Sequence, residues 1–426
     1  MGSRYRRVDH DKTRNTLDRL LTLPTLIIGG GISGITAAVE LAEAGREVVL
    51  IEKEPYLGGN VSGFNNYFPK LCPPACGLEI NYRRIRSNSR ISYFTGAEVR
   101  DISGSDGDFN IKISLEAQLI NNRCTSCGKC AEVCPETRPG VVGGYPGEKA
   151  AYVPGGLAFP MKYTIDAKVC KKEACGKCLE VCDYDAIQLD AKPAEVEIEV
   201  KKIIVATGWR LYDASRIENY RYSEEPDVVT NLEFEHLLAA CTRDHKRLTR
   251  PSDGEVPRNI AFIQCAGSRD HHHLPYCSAV CCSASLKHAL TLAEGYPEIK
   301  TEIFYIDLRL TGRNEKLLNR AREKSSITLT KGKVGRIEPG SNGEGLVLEV
   351  EDIMAGTRRM EPYDMVVLAT GLVPNHLAVD MPVNDYGFYE PGRVAGIIPA
   401  ATCKRPMDVA SSVRDATAAV LKAMQP

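Results

Sequence analysis

Eight of the sixteen cysteines fall in two close runs, and both runs interrupt a chain that begins as a dinucleotide-binding fold. The first run is C-x2-C-x2-C-x3-C, Cys124, Cys127, Cys130 and Cys134, followed by Pro135; the second is Cys170, Cys175, Cys178 and Cys182. In the first spacing three thiolates cap one cube-shaped iron-sulfur cluster while the fourth reaches a neighbouring one. That rule assigns Cys124, Cys127, Cys130 and Cys182 to one 4Fe-4S cluster, and Cys170, Cys175, Cys178 and Cys134 to a second. The second run opens with a longer spacer and ends in Cys182-Asp183 instead of Cys-Pro. Zinc and plain buried thiols are the alternatives, but zinc favours ligands in two pairs, whereas these triplets suit a cube.

A chain of 426 residues implies two or three domains, and 43% hydrophobic residues suffice to bury their cores. Lys plus Arg at 54 against Asp plus Glu at 55 gives a formal charge of -1, which selects neither nucleic acid nor an anionic membrane. Small redox substrates and protein partners remain. The charged start, MGSRYRRVDHDKTR, lacks the apolar core of a secretory signal, so the cysteines are not read as a disulfide framework and a reducing cytoplasm is expected. The most apolar region, Leu20 to Ala44, is broken by glycines, Pro24, Glu40 and Glu43, so no transmembrane segment is expected. The tract His271 to His273 reads as a polar loop.

Thr25 to Ile28 read as an apolar strand leading into Gly29-Gly30-Gly31-Ile32-Ser33-Gly34 and an alanine-rich helix that ends near Gly45. Gly29 serves the tight turn, Gly31 the approach of a pyrophosphate and Gly34 the packing of helix on strand. A second strand, Glu47 to Ile51, ends at Glu52, about 20 residues beyond the glycines, where a carboxylate meets adenosine ribose hydroxyls, with Lys53 beside it. Gly58-Gly59 follows as in flavoproteins with two dinucleotide folds. Ile203 to Ala206 and Met365 to Ala369 both run into Ala-Thr-Gly, at Thr207-Gly208 and Thr370-Gly371, where such chains leave or re-enter the FAD domain. A last helix from Asp408 to Met424 would point its N-terminus at the flavin.

The fold class expected is therefore α/β: two Rossmann domains of the thioredoxin or glutathione reductase kind, with an inserted ferredoxin-like domain for two 4Fe-4S clusters. The expected boundaries are an N-terminal arm at 1–23, the FAD domain at 24–121, 193–212 and 364–426, the insertion at 122–192 and a degenerate nucleotide domain at 213–363. A nicotinamide reductase would repeat the glycine fingerprint in that last domain. Here the strand Asn259 to Gln264 runs into Cys265-Ala266-Gly267, where the Cys265 side chain would crowd a pyrophosphate. Cys277, Cys281 and Cys282 follow, and four thiols at this spacing suit a third cluster, a disulfide or small buried residues. Cys72 and Cys76, in CPPAC, are candidate redox thiols on the flavin-facing side; Cys241 and Cys403 read as structural.

These motifs resemble the A-subunit of heterodisulfide reductase and its relatives from about Thr25 onward, most diagnostically in QCAGSRD followed by YCSAVCC. The resemblance implies an unusual cluster on Cys265, Cys277, Cys281 and Cys282, close to the flavin. Methanogen-type members carry extra cysteine-rich segments, and KLCPPACGLEINYRRI is similar to the A-subunit branch found in the quinone-interacting membrane-bound oxidoreductase (Qmo) complexes. That branch implies an oxidoreductase subunit, cytoplasmic and peripheral at the membrane's inner face. Its implied partners are adenylylsulfate reductase, a second flavin and iron-sulfur protein, and a haem-bearing membrane subunit. Electrons would pass between menaquinol and that reductase, with bifurcation at the flavin if its two electrons part. The alternatives are a heterodisulfide-type thiol pathway, a nicotinamide or dithiol oxidoreductase using Cys281 and Cys282, and a scaffold in which clusters only stabilise a docking surface.

Overall fold

The computed structural model describes residues 23–138, 148–340 and 345–425; the expected arm up to residue 22 lies outside them. The first sheet has five parallel strands in the order Ile397–Pro399, Lys202–Val205, Thr25–Ile28, Val48–Glu52 and Ile91–Thr95. A parallel sheet is stable only when both faces are covered, and alternate residues of these strands divide accordingly. Ile27, Leu50 and Ile204 pack against the helices Ile32–Glu43, Ala75–Ser87 and Val409–Ala423. Leu26, Ile28, Ile51, Ile203 and Val205 pack on the other face, against a three-stranded antiparallel sheet of Ala97–Ser105, Asp108–Leu115 and Ala194–Val200.

The second sheet has seven strands, ordered Val228–Thr230, Met365–Thr370, Asn259–Ala266, Lys300–Tyr305, Ile327–Pro339, Leu346–Asp352 and Thr357–Tyr363. The first five run parallel, and the last two extend the fifth as an antiparallel edge. One face is covered by the helices Asn231–Asp244, Cys281–Gly295 and Glu315–Arg322. The strand Met365–Thr370, assigned from sequence to the returning FAD segment, belongs to this sheet. All six of its residues are buried, and they find parallel partners on both sides here. The chain therefore returns to the first sheet after Gly371 and not at 364, by way of Leu372–Pro374 pairing with Trp209–Leu211 and then Ile397–Pro399.

The cysteine-rich insertion has its own small core of Leu119, Ile120, Cys130, Ala151, Ile165, Ala186, Ile187 and Leu189. Its two halves repeat one device. In CGKCAEVC and CGKCLEVC a left-handed glycine, Gly128 or Gly176, precedes a single helical turn, Lys129–Glu132 or Lys177–Glu180. Among the described residues no helix is long and apolar enough to cross a membrane.

Candidate redox site

The dinucleotide turn is shaped by what its glycines exclude. A Cβ on Gly34 would sit 1.8 Å from the Gly29 carbonyl oxygen, so only glycine lets this helix lie so close to its strand. A Cβ on Gly31 would meet nothing nearer than the Gly59 Cα at 3.9 Å, so a cradle stays open in front of the first amides of helix Ile32–Glu43. Gly58, bridged to Gly31, and Gly59 form the floor of that cradle. Glu52 is buried and accepts hydrogen bonds from the amides of Gly30 at 2.6 Å and Glu54 at 2.9 Å; burial pushes its carboxyl above the usual carboxylate range. It therefore braces the turn as well as facing the cavity. This open cradle fits an FAD pyrophosphate.

The cradle opens into a cavity of about 460 Å³ between the two Rossmann units, lined by Gly29, Gly31, Glu52, Lys53, Gly59, Thr207, Gly208 and Asp408, among others. Asp408 caps helix Val409–Ala423 by accepting from the Ser411 amide at 2.7 Å, which fixes the helix N-terminus at the cavity wall. Thr207 is held by Asn375, whose carbonyl accepts from Thr207 Oγ1 at 2.8 Å. Thr370 and Gly371, expected at the cofactor, are not among the residues lining this cavity, but they border it: the next residue, Leu372, lines it, and Thr370 Oγ1 donates to the lining residue Asn231 at 3.3 Å. The Thr370 carbonyl accepts from Cys281 Sγ at 3.5 Å, and a Cβ on Gly371 would meet Ser268 Oγ at 2.3 Å, so this turn packs against the third cysteine group.

Sequence reasoning missed a buried ionic cluster on the opposite wall. Glu235, Lys287 and His288 all line the cavity from the second unit. One oxygen of Glu235 faces both Lys287 Nζ and His288 Nε2 at 2.5 Å; the other accepts from the amides of Asn65 at 2.8 Å and Asn66 at 3.3 Å. Burial alone would raise the Glu235 carboxyl, but Lys287 and His288 outweigh it and hold it well below the usual carboxylate range. Burial lowers His288, which favours the neutral ring donating from Nε2 to the carboxylate; among the described residues Nδ1 has no hydrogen-bond partner. Lys287 and His288 interrupt the apolar residues Leu286, Ala289 and Leu290 on the buried face of helix Cys281–Gly295, and that interruption was the available signal.

In the insertion, Cys134, Cys170, Cys175 and Cys178 line one small cavity, joining the fourth cysteine of the first run to three of the second. The Cys130 thiol is pushed up to about 11 by burial and by nearby Cys124, Cys178 and Cys127. Cys182 packs in the same core. Among the described residues no group of three or more His, Cys, Asp or Glu side chains is set for a single metal ion. A cube spaces its thiolates more widely, because each meets a different iron. The donor set is all sulfur, which fits such clusters.

The third group shares a local turn with the other two runs. In each, a residue with positive φ donates its amide to the cysteine two places earlier: Ser126 to Cys124 at 3.5 Å, Lys172 to Cys170 at 3.3 Å and Ala279 to Cys277 at 3.4 Å. Cys265 itself has φ of +58° at the end of its strand. Cys281 and Cys282, both buried, open the helix that carries Lys287. Burial raises the Cys281 thiol, reinforced by Cys282, Cys265 and Cys277. Cys72 and Cys76 do not face the cavity. Phe64 and Phe68 take the inward positions of that loop, Tyr67 folds back with its amide on the Cys72 carbonyl at 2.8 Å, and Cys76 is exposed. Cys403 is fully buried, its sulfur 3.1 Å from the carbonyls of Val205 and Ala400.

Residues 27–82 match the family described as NAD(P)-binding Rossmann-like domain, and residues 117–136 the family described as 4Fe-4S binding domain. An iron-sulfur A-subunit of the CoB--CoM heterodisulfide reductase of Methanopyrus kandleri is 37% identical over 417 residues, 93% of this chain and 63% of that protein. The A-subunit of the H(2):CoB-CoM heterodisulfide,ferredoxin reductase of Methanothermobacter marburgensis is 37% identical over 353 residues, 82% of this chain and 53% of that protein. The chain is a homologue of the heterodisulfide reductase A-subunit. Thioredoxin reductase from T. acidophilum matches it in fold with a TM-score of 0.50 and 14% identity, over 94% of this chain and 97% of that one. This A-subunit homologue thus combines a thioredoxin reductase-like α/β frame with a 4Fe-4S binding domain. It spans 53% to 63% of the length of the two relatives above.

Proposed function

We propose that this A-subunit homologue is the FAD and iron-sulfur electron-transfer component of a multi-subunit oxidoreductase, with one FAD and three 4Fe-4S clusters. The observation that carries the reading is the helix Cys281–Gly295, whose first residues belong to the third cysteine group and whose later turns line the dinucleotide cavity. FAD would supply a centre that exchanges electrons in pairs or singly, beside clusters that carry one each. Gly31 and the first amides of its helix would hold the pyrophosphate, Glu52 the ribose side, and the N-terminus of helix Val409–Ala423 would favour negative charge on the ring. Lys287 sets an ammonium at the cavity wall, where Glu235 pairs with it.

The recurrence of the amide-to-sulfur turn at Cys124, Cys170 and Cys277 favours a third cluster over a dithiol. The finer assignment is to the Qmo branch, passing electrons between menaquinol and adenylylsulfate reductase beside a second flavin protein and a haem-bearing membrane subunit. It rests on the segment KLCPPACGLEINYRRI. Iron, acid-labile sulfide and FAD should be counted on anaerobically purified protein. About twelve irons and one FAD per chain support the proposal, four irons for each cube; about eight revive the dithiol reading. Menaquinol-dependent reduction of adenylylsulfate reductase by the assembled complex tests the finer assignment, and turnover of a heterodisulfide instead would replace it.

A further inference from the structure

We infer that the segment Leu157 to Tyr163 is a strap that holds the first ferredoxin-type run beside the floor of the dinucleotide cradle, with Phe159 as its positioning residue for electron exchange between flavin and cluster. The inference rests on the FAD and the first cluster of the reading above, and not on the third.

One end of the strap grips the cradle. Leu57, next to Gly58, donates its amide to the Phe159 carbonyl at 2.7 Å, and its own carbonyl accepts from the Phe159 amide at 3.3 Å. The Phe159 ring stacks on Tyr82 with centroids 5.0 Å apart and packs on Tyr93 at 5.7 Å. The Tyr82 hydroxyl lies 2.8 Å from the Leu157 carbonyl oxygen and 3.1 Å from that of Leu57, which ties both segments to helix Ala75–Ser87. A Cβ on Gly58 would meet that hydroxyl at 2.5 Å, so this glycine makes room for the strap's anchor as well as for the cradle.

The other end grips the first cysteine loop. The Met161 carbonyl accepts from Oγ of Ser126, which lies between Cys124 and Cys127, at 2.8 Å. Lys162 Nζ donates to the Ile120 carbonyl and to Asn122 Oδ1, both at 3.2 Å, on the stretch that leads into Cys124. A Cβ on Gly128, the left-handed glycine after Cys127, would stand 3.3 Å from the Tyr163 hydroxyl. Phe159 and Met161 are two residues apart, so their Cα atoms are separated by at most about 7 Å. The cradle floor and the first cysteine loop are therefore pinned to neighbouring points of one short segment. Among the described residues the hydrogen bonds of 170–182 reach only other parts of the insertion.

The cluster of Cys124, Cys127, Cys130 and Cys182 is thereby set as the direct partner of the flavin. The step is the passage of one electron from reduced flavin to oxidised cube, or the reverse, with no bond made or broken between them. Its rate falls steeply with separation, so a short strap held at both ends fixes it.

The test uses the anaerobically purified holoprotein and its variants Phe159→Ala, Phe159→Leu and Phe159→Tyr, with FAD and iron counted on each. A light pulse reduces the flavin in the presence of a sacrificial electron donor, and freeze-quenched EPR follows the arrival of the electron at the clusters. With the FAD and iron content of the unmodified protein retained, Phe159→Ala is expected to slow that arrival at least about tenfold, the scale on which position governs a transfer step. Phe159→Leu, which loses only the stacking, should slow it less, and Phe159→Tyr, which keeps the ring, should restore most of the rate. Amide exchange at Leu57 should quicken in Phe159→Ala and not in Phe159→Tyr, which reads the strap apart from electron flow. An unchanged arrival in Phe159→Ala at full cofactor content overturns the inference. So does loss of FAD or of about four irons in both Phe159→Ala and Phe159→Leu, which makes Phe159 a structural residue only. An unmodified protein with no FAD, or with fewer than about eight irons, fails the underlying reading instead and shows it before any pulse.

Discussion

Replacing Glu235 with Gln is expected to loosen the helix Cys281–Gly295 by about 3–5 kcal/mol, because the Lys287 ammonium, with its side chain 6% exposed, then has no counter-charge. Lys287→Met should cost less, about 1.5–3 kcal/mol, since Glu235 keeps His288 and the amides of Asn65 and Asn66. In the double variant neither charge is buried alone. Its cost should fall short of the sum of the singles by about 2–3 kcal/mol, the coupling expected of a shared network. Native-state amide exchange along the helix in the holoprotein reads these local opening energies without requiring two-state unfolding. Glu235→Gln should speed exchange there at least about a hundredfold, at about 1.4 kcal/mol per factor of ten. An acceleration under tenfold, or two singles that simply add, would refute the claim that a true ion pair is buried at this wall.

Gly34→Ala should abolish flavin retention, because the new methyl would sit 1.8 Å from the Gly29 oxygen and push the helix off its strand; flavin absorbance after gel filtration is the readout, and full retention would remove the helix-packing argument. Cys178→Ser should lower iron by about four per chain while the remaining clusters keep their EPR signals, and retention of all iron would show that the cavity shared with Cys134, Cys170 and Cys175 holds none. The Cys403 thiol is pushed up from 9.0 to about 11, chiefly by burial. A thiol raised on folding contributes stability that is complete below its unfolded value and is lost as pH rises through the folded one, so the unmodified protein should lose about 2–3 kcal/mol more than Cys403→Ala between about pH 9 and 11. Denaturant midpoints measured across that range check this, and parallel slopes would contradict it.

The strand, turn and helix at Thr25 to Glu43 were legible because glycine spacing encodes backbone clearance directly. The meeting of Cys134 with Cys170, Cys175 and Cys178 was legible for a similar reason, since loop length fixes which thiol can cross over. Met365–Thr370 was misplaced because an apolar strand followed by Ala-Thr-Gly reads the same in either sheet; only its hydrogen-bonding neighbours distinguish them. Thr370 ends that strand and Gly371 follows it, with only the next residue, Leu372, reaching the cavity lining. Glu235, Lys287 and His288 escaped because apolar periodicity treats a charge on a buried helix face as noise, and their partners lie far off in sequence. Cys72 and Cys76 were drawn toward the cofactor by chain position, whereas Phe64 and Phe68 supply the greasier side chains for the inward face.

Cys281, Cys282, Lys287 and His288 all belong to one rigid rod, with Cys282 and Lys287 separated by about 7–8 Å along its axis. A helix has a single rotational setting, and a turn of one residue, about 100°, would carry both sets of side chains away from their targets together. Relatives that change one end of this rod are therefore expected to change the other. Positions 235, 281, 282 and 287 should be inherited as a block, and a homologue that keeps the lysine after losing the cysteine pair would have had to find a new anchor for the same helix.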